Sequence, residues 1–145
     1  MAKERVVSEM EALSFELVSA FDGAWNRRDA EALASLFHED GDFHFYNGLE
    51  LRGRRLIQRI YGRSVFPNLP EGLIHRTRSV RVRVLSDKVA LGDGKVDLLD
   101  TTKADEENQV QLTVSATIIL TNDDGRWGIS AVRLMVPVDA YPTGV

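Results

Sequence analysis

Leu36-Phe37-His38-Glu39-Asp40-Gly41-Asp42-Phe43-His44-Phe45-Tyr46-Asn47-Gly48 is the stretch on which the fold turns, because apolar residues recur at helical spacing before it and alternate after it. His38-Glu39-Asp40-Gly41 carries turn chemistry, and Asp42 to Tyr46 then alternates polar with aromatic residues, as a short half-buried strand does. Asn47-Gly48 predicts the turn that ends it. On the amino-terminal side, Met10, Leu13, Leu17, Ala20, Phe21, Ala24 and Trp25 form one stripe at three-and-four spacing, which predicts a helix from about Val6 to Asn26. Asp29 is placed to cap a second helix whose inner face is Leu33, Leu36 and Phe37. On the other side, Leu49 to Arg52 reads as a brief extended piece. Gly53 opens a third helix reaching about Val65, with Leu56, Ile57, Ile60 and Tyr61 inward and Pro67 and Pro70 ending it. Four strands follow, Leu73 to Leu85, Lys88 to Asp100, Gln109 to Thr121 and Arg126 to Val138, with tight turns at Ser86-Asp87 and Asn122 to Gly125. Asp105 to Asn108 reads as a solvated loop, and the residues after Val138 as a loose tail. Helices first and long strands last predict an α+β domain, three helices packed on a strongly curved, mostly antiparallel sheet, with a pocket inside the resulting cone.

A chain of 145 residues, 43% of them hydrophobic, builds one core, so residues 1–145 are expected to form a single domain. The formal charge of −4 argues against nucleic acid as the main partner. With no cysteine, disulfides, thiolate nucleophiles and cysteine-ligated metals are excluded. No apolar run approaches the roughly 18 residues of a membrane span, and the amino terminus lacks the pattern of a secretion signal; the expectation is a cytoplasmic protein with no membrane partner.

The framework Phe21-x-x-Ala24-Trp25-Asn26-x-x-Asp29-x-x-x-Leu33-x-x-Leu36-Phe37-x-x-Asp40-x-Asp42-Phe43, followed by Gly48, Gly53 and a helix, resembles the nuclear transport factor 2-like superfamily, and within it the SnoaL-like and SgcJ/EcaC-like small proteins. The closing run Asp124-Gly125-Arg126-Trp127-Gly128-Ile129 is similar to the last hairpin of that family, so the resemblance spans nearly the whole chain. It implies the cone-shaped fold, while the same cone hosts isomerases, dehydratases, cyclases, assembly domains and non-catalytic binders. The ketosteroid isomerase branch keeps a tyrosine, a basic aspartate and a protonated aspartate at positions that fall here on Phe21, Phe45 and Thr117, none of which suits that chemistry. Tyr61 sits where that branch keeps a pocket tyrosine, and Arg133-Leu134 stand where SgcJ-like relatives often show His-Asn.

Within this frame, Asp42, His44 and Tyr46 share one face of their strand, and an Asp42-His44 pair turned toward the cone would make a general base of the imidazole. The competing reading points Phe43 and Phe45 inward and the polar trio outward. Phe21, Trp25, Phe45 and Tyr61, from separate elements, are expected to converge as an apolar ligand-binding wall with one hydroxyl. Thr113, Ser115 and Thr117 make one face of a strand hydroxyl-rich. They either line the pocket, with Thr117 and Arg133 touching ligand, or form the outer sheet surface through which a homodimer pairs. Arg76, Arg78, Arg81 and Arg83 crowd one strand as a solvated edge, with Arg76 or Arg78 turning into the cone as the route to a bound carboxylate. His38 and His44 stand six apart with His75 distant, so no metal site and no cofactor are expected. The expected function is binding of a small hydrophobic or aromatic molecule. The alternatives are a cofactor-independent isomerase or dehydratase with His44 and Asp42 as its base, acting on a polyketide-like or aromatic substrate, and a structural dimerisation domain.

Overall fold

The computed structural model describes residues 2–136. The long amphipathic stripe forms α1, Ala2–Asn26, one turn longer than its periodicity predicts. Met10, Phe21, Ala24 and Trp25 are buried, Ala20 is exposed, and Ser14 is buried in the stripe with its hydroxyl donated to Met10 O at 2.7 Å. Helix α2, Ala30–Ser35, starts where Asp29 caps it, the Asp29 carboxylate accepting Ala32 N at 2.9 Å.

Strand β1, Phe37–His44, begins earlier than expected, so His38 to Gly41 belong to the sheet and Tyr46 to the following turn. Neighbours on both sides supply the reason. The β1 strand pairs antiparallel with β2, Glu50–Arg52, and parallel with β6, Arg126–Met135, with a bulge between Phe37 and Asp42. Gly41 is required there, since a Cβ would lie 2.9 Å from the Ile129 carbonyl. The register places Phe43 against Leu51 and Val132 and buries all three.

Helix α3, Arg54–Ile60, follows Gly53, whose φ of 93° favours glycine. In place of one helix to Val65, it opens into a π-helical turn, Tyr61–Val65, and then a 3-10 turn, Phe66–Asn68. Pro67 has no N–H to offer and sits in the tighter turn, and the widened turn before it rotates Tyr61 and Phe66 inward, where both are buried.

The remaining strands are β3, Leu73–Ser86, β4, Val89–Asp100, and β5, Val110–Asp123; the expected acidic loop contains a single helical turn, α4, Glu106–Gln109. Sheet order is β2-β1-β6-β5-β4-β3, antiparallel except for β1 with β6, so β3 is an edge. The expected end of the last strand at Val138 and the tail beyond it lie outside the described residues. Helices cover the concave face. A main apolar cluster including Phe21, Trp25, Leu33, Phe37, Phe43, Ile57 and Ile129 is separate from a smaller one of Val96, Val114 and Ala116. Among the described residues no helix is long and apolar enough to cross a membrane.

Candidate functional site

The edge strand β3 leaves backbone groups without a strand partner, and side chains from the last turns of α1 and the turn that follows it take that place. Arg28 donates to Leu73 O at 2.7 Å, the Asn26 amide accepts His75 N at 2.8 Å and donates to His75 O at 3.0 Å, and Asp22 accepts Thr77 N at 2.9 Å. This clamp fixes His75 and Thr77, which alternate onto the concave face, beside the helix. His75 Nδ1 lies 2.6 Å from Asp22 Oδ1, and the Thr77 hydroxyl donates to the same oxygen at 2.7 Å. Since a carboxylate only accepts, the proton of a neutral His75 ring sits on Nδ1, leaving the Nε2 lone pair free. The ring is buried against Phe21 and Trp25, with centroids 5.4 Å and 5.1 Å away.

His75 and Thr77 stand in the wall of a cavity of 210 Å³ that occupies the gap between the two apolar clusters. Phe21 and Trp25 from α1, Phe43 and Phe45 from the β1 end, Tyr46 and Asn47 from the turn after it, Tyr61 from the π-helical turn, and Val114, Ala116 and Ile118 from β5 also line it, and among the described residues of the wall there is no Asp, Glu, Lys or Arg. Six rings touch in a closed series, and all but Phe66 line the cavity: His75 to Phe21, Phe21 to Phe43, Phe43 to Tyr61, Tyr61 to Phe66, Phe66 to Trp25 and Trp25 back to His75, with centroids between 5.1 and 6.3 Å apart. Tyr61 is 2% exposed, and burial pushes its phenol well above its ordinary pKa, so the group is a neutral donor. No described residue hydrogen-bonds its hydroxyl, yet no buried polar side-chain atom is stranded among the described residues; the hydroxyl opens on the cavity.

The SnoaL-like domain model matches residues 15–133. The chain belongs to the SnoaL-like family. Solved structures with the same nuclear transport factor 2-like, cystatin-like fold include an NTF2-like protein from Novosphingobium aromaticivorans (18% identity, TM-score 0.81, covering 97% of this chain and 88% of that one). A proposed scytalone dehydratase from the same species is similar too (18% identity, TM-score 0.74, 95% and 89% covered). So is the hexachlorocyclohexane dehydrochlorinase LinA-type3 from Novosphingobium barchaimii (19% identity, TM-score 0.76, 98% and 96% covered). At these identities the likeness is one of fold. Comparison with curated proteins finds no match.

In this SnoaL-like protein the expected residues divide sharply. Phe21, Trp25, Phe45 and Tyr61 do line one cavity. His44 and Asp42 do not reach it. The inward turn of Phe43 and Phe45 sends them to the other face, where Asp42 takes Arg133 Nη1 at 2.6 Å and His44 Nδ1 lies 3.9 Å from Glu50. The expected His44–Asp42 base is therefore corrected, and Arg133, committed to Asp42, is off the cavity with it. Thr117 is corrected likewise. Its hydroxyl donates to Asp93 at 2.7 Å on the convex face, while Ala116 and Ile118 face inward. Arg76 and Arg78 also stay convex, both donating to the buried Asp97, at 3.0 and 2.7 Å. Among the described residues no three His, Asp or Glu side chains gather as a metal site.

Asp22 and His75, absent from the expectations, are 53 positions apart. The available signal was local: an aspartate flanked by the buried Phe21 and Trp25 on a helix, and a histidine sharing strand parity with a threonine. Neither marks the other in sequence.

Proposed function

We propose that this SnoaL-like protein is an acid–base enzyme that takes a proton from carbon in a small, uncharged, largely apolar molecule, with His75 as the base and Asp22 as the residue that orients it. One observation carries the reading: the 2.6 Å contact between His75 Nδ1 and Asp22 Oδ1 at the cavity wall, with Nε2 having no partner among the described residues. Asp22 accepts three hydrogen bonds, so it stands as a fixed carboxylate and stabilises the imidazolium formed when Nε2 accepts a proton. The cavity supports the size of the substrate. Its 210 Å³ exceeds the ~150 Å³ of an apolar cavity that admits benzene and suits one substituted six-membered ring. The absence of Asp, Glu, Lys and Arg from its wall among the described residues favours a neutral molecule.

Two outcomes are open to the carbanion-like state: departure of a group from the adjacent carbon, which is an elimination, or return of the proton to another carbon, which is an isomerisation. The dehydrochlorinase and the proposed dehydratase that share the fold carry names for losses of hydrogen chloride and water, which favours the first. The test incubates wild type, H75Q and D22N with hexachlorocyclohexane, scytalone and a set of cyclic ketones in deuterated buffer and follows C–H loss and exchange by NMR. Wild type is expected to turn over at least one, and H75Q to lose on the order of 10²–10⁴ of that rate. Equal rates in wild type and H75Q would refute the base. A wild type that binds such molecules and converts none returns the protein to the plain binding reading. A homodimer through the convex sheet face belongs to the same proposal, supported by Met135 exposed beside Ser115 there, and sedimentation at micromolar concentration tests it.

A further inference from the structure

We propose that the outer edge of β3 beyond Ser79 is a docking site for an extended acidic segment of a partner protein, which joins the sheet as a further strand and sets its carboxylates against Arg81 and Arg83.

The two halves of this edge differ. Up to Thr77, side chains of Arg28, Asn26 and Asp22 occupy the outward backbone groups. A bulge between Arg78 and Arg81 follows, in which Ser79 takes a φ of 56°. Past it, no group among the described residues outside the ladder with β4 bonds to the main chain of Arg81 to Leu85. Register identifies the open groups. His75 and Thr77, whose main chains face outward, stand opposite Leu98 and Val96, and steps of two along β4 lead to Gly92 and Ala90, which stand opposite Val82 and Val84. The N–H and C=O of Val82 and Val84 therefore point away from β4, while their side chains pack on the main apolar cluster. That parity puts Arg81 and Arg83 on the convex face, both exposed.

Charge and hydrogen bonding select the occupant. Arg76 and Arg78 are paired with the buried Asp97, and Asp93, opposite Arg81, accepts the Thr117 hydroxyl. Arg81 and Arg83 have no ion-pair partner among the described residues, so their charge calls for carboxylates from outside. A second copy is a poor fit, because antiparallel pairing of two such edges about Val82 would set Arg81 of one copy across from Arg83 of the other. A nucleic-acid backbone offers phosphate acceptors but no donors at the spacing of the Val82 and Val84 carbonyls. An extended peptide supplies donors and acceptors at that spacing, and Asp or Glu at every second residue reaches Arg81 and Arg83 with apolar residues between them opposite Val82 and Val84.

Two measurements on the full chain test the proposal. In amide hydrogen exchange of the free protein, Val82 and Val84 are expected to exchange roughly tenfold or more faster than His75 and Thr77, whose N–H groups are held by Asn26 and Asp22. The probe is then the fluorescent peptide acetyl-Glu-Val-Glu-Val-Glu-Val-Glu-amide, followed by anisotropy. Wild type is expected to bind it below millimolar concentration and to slow the Val82 and Val84 amides in the complex. The same peptide with its valine nitrogens methylated cannot extend the sheet and is expected not to bind. R81E with R83E should weaken binding roughly tenfold or more and admit the Lys-for-Glu peptide instead. Both arginines are exposed, and the melting temperature of the double variant checks its fold. Equal binding of the methylated peptide, which would mean charge attraction alone, overturns the proposal. So do unchanged affinity in the double variant, slow Val82 and Val84 amides in the free protein, and a wild type that leaves the peptide free at millimolar concentration, where the arginines only keep copies apart.

Discussion

Replacing Asp22 by Asn changes one atom and reverses the hydrogen-bond logic of the site. Asp22 accepts His75 Nδ1 at 2.6 Å, the Thr77 hydroxyl at 2.7 Å and Thr77 N at 2.9 Å. An amide keeps one oxygen, enough for Thr77 N, and turns an NH₂ group toward two former donors. With the side chain 21% exposed, water compensates part of the loss, and the cost is about 1–3 kcal/mol. For a chain of this size that lowers the melting temperature by roughly 3–10 °C. The larger effect is on the imidazole. Facing a donor, Nδ1 becomes an acceptor, the proton moves to Nε2, and the lone pair that faced the cavity is capped. Where an orienting aspartate is amidated in this way, turnover falls by on the order of 10⁴ with the geometry intact. Nitrogen-15 NMR of the histidine rings reads the tautomer directly, without any substrate. Wild type is expected to carry the His75 proton on Nδ1 and D22N on Nε2. A wild-type ring already protonated on Nε2, or a D22N protein that keeps the Nδ1 tautomer, would refute the reasoning before any rate is measured.

Ala116, buried at the cavity wall, is expected to accept Phe only by filling the space a ligand needs; A116F should abolish cyclohex-2-enone binding in calorimetry, and unchanged affinity would place the ligand elsewhere. Asp97 is 1% exposed on the convex side and accepts Arg78, Arg76 and Thr113; the Arg78 hydrogen bond first, with those from Arg76 and Thr113, holds its carboxyl far below the usual carboxylate range. D97N should therefore cost about 1–3 kcal/mol in urea unfolding at neutral pH, discounted because both arginines are half exposed. Because the folded value is depressed, this contribution is complete above the unfolded value of about 3.9 and is lost as pH falls below it. The gap between wild type and D97N should thus narrow from about pH 4 downward, and a constant gap would count against the ion pair. G41A brings a Cβ to 2.9 Å from the Ile129 carbonyl and should cost about 1–3 kcal/mol by thermal denaturation, with a neutral result refuting the tight β1–β6 approach.

The order and type of the elements were written locally. Apolar residues three and four apart on α1 can be buried only as a helix stripe, Asp29 can satisfy only a helix start there, and β5 alternates Thr113, Ser115 and Thr117 with Val114, Ala116 and Ile118 so strictly that one face must be apolar. From these the α+β cone and the aromatic wall of Phe21, Trp25, Phe45 and Tyr61 follow, because the rings sit on the inward faces of separate elements that pack on one core. Which polar residues enter the cone was not written locally. His44 and His75 both stand in strands next to alternating neighbours, and nothing within a few residues of either distinguishes them. The bulge at Gly41 sends His44 outward by setting Phe43 against Val132. The clamp of Asp22, Asn26 and Arg28 on the bare edge of β3 turns His75 inward onto a carboxylate 53 positions away. A face is a property of one strand's period, whereas a pair of catalytic groups is a property of the register between elements, and only packing sets that register.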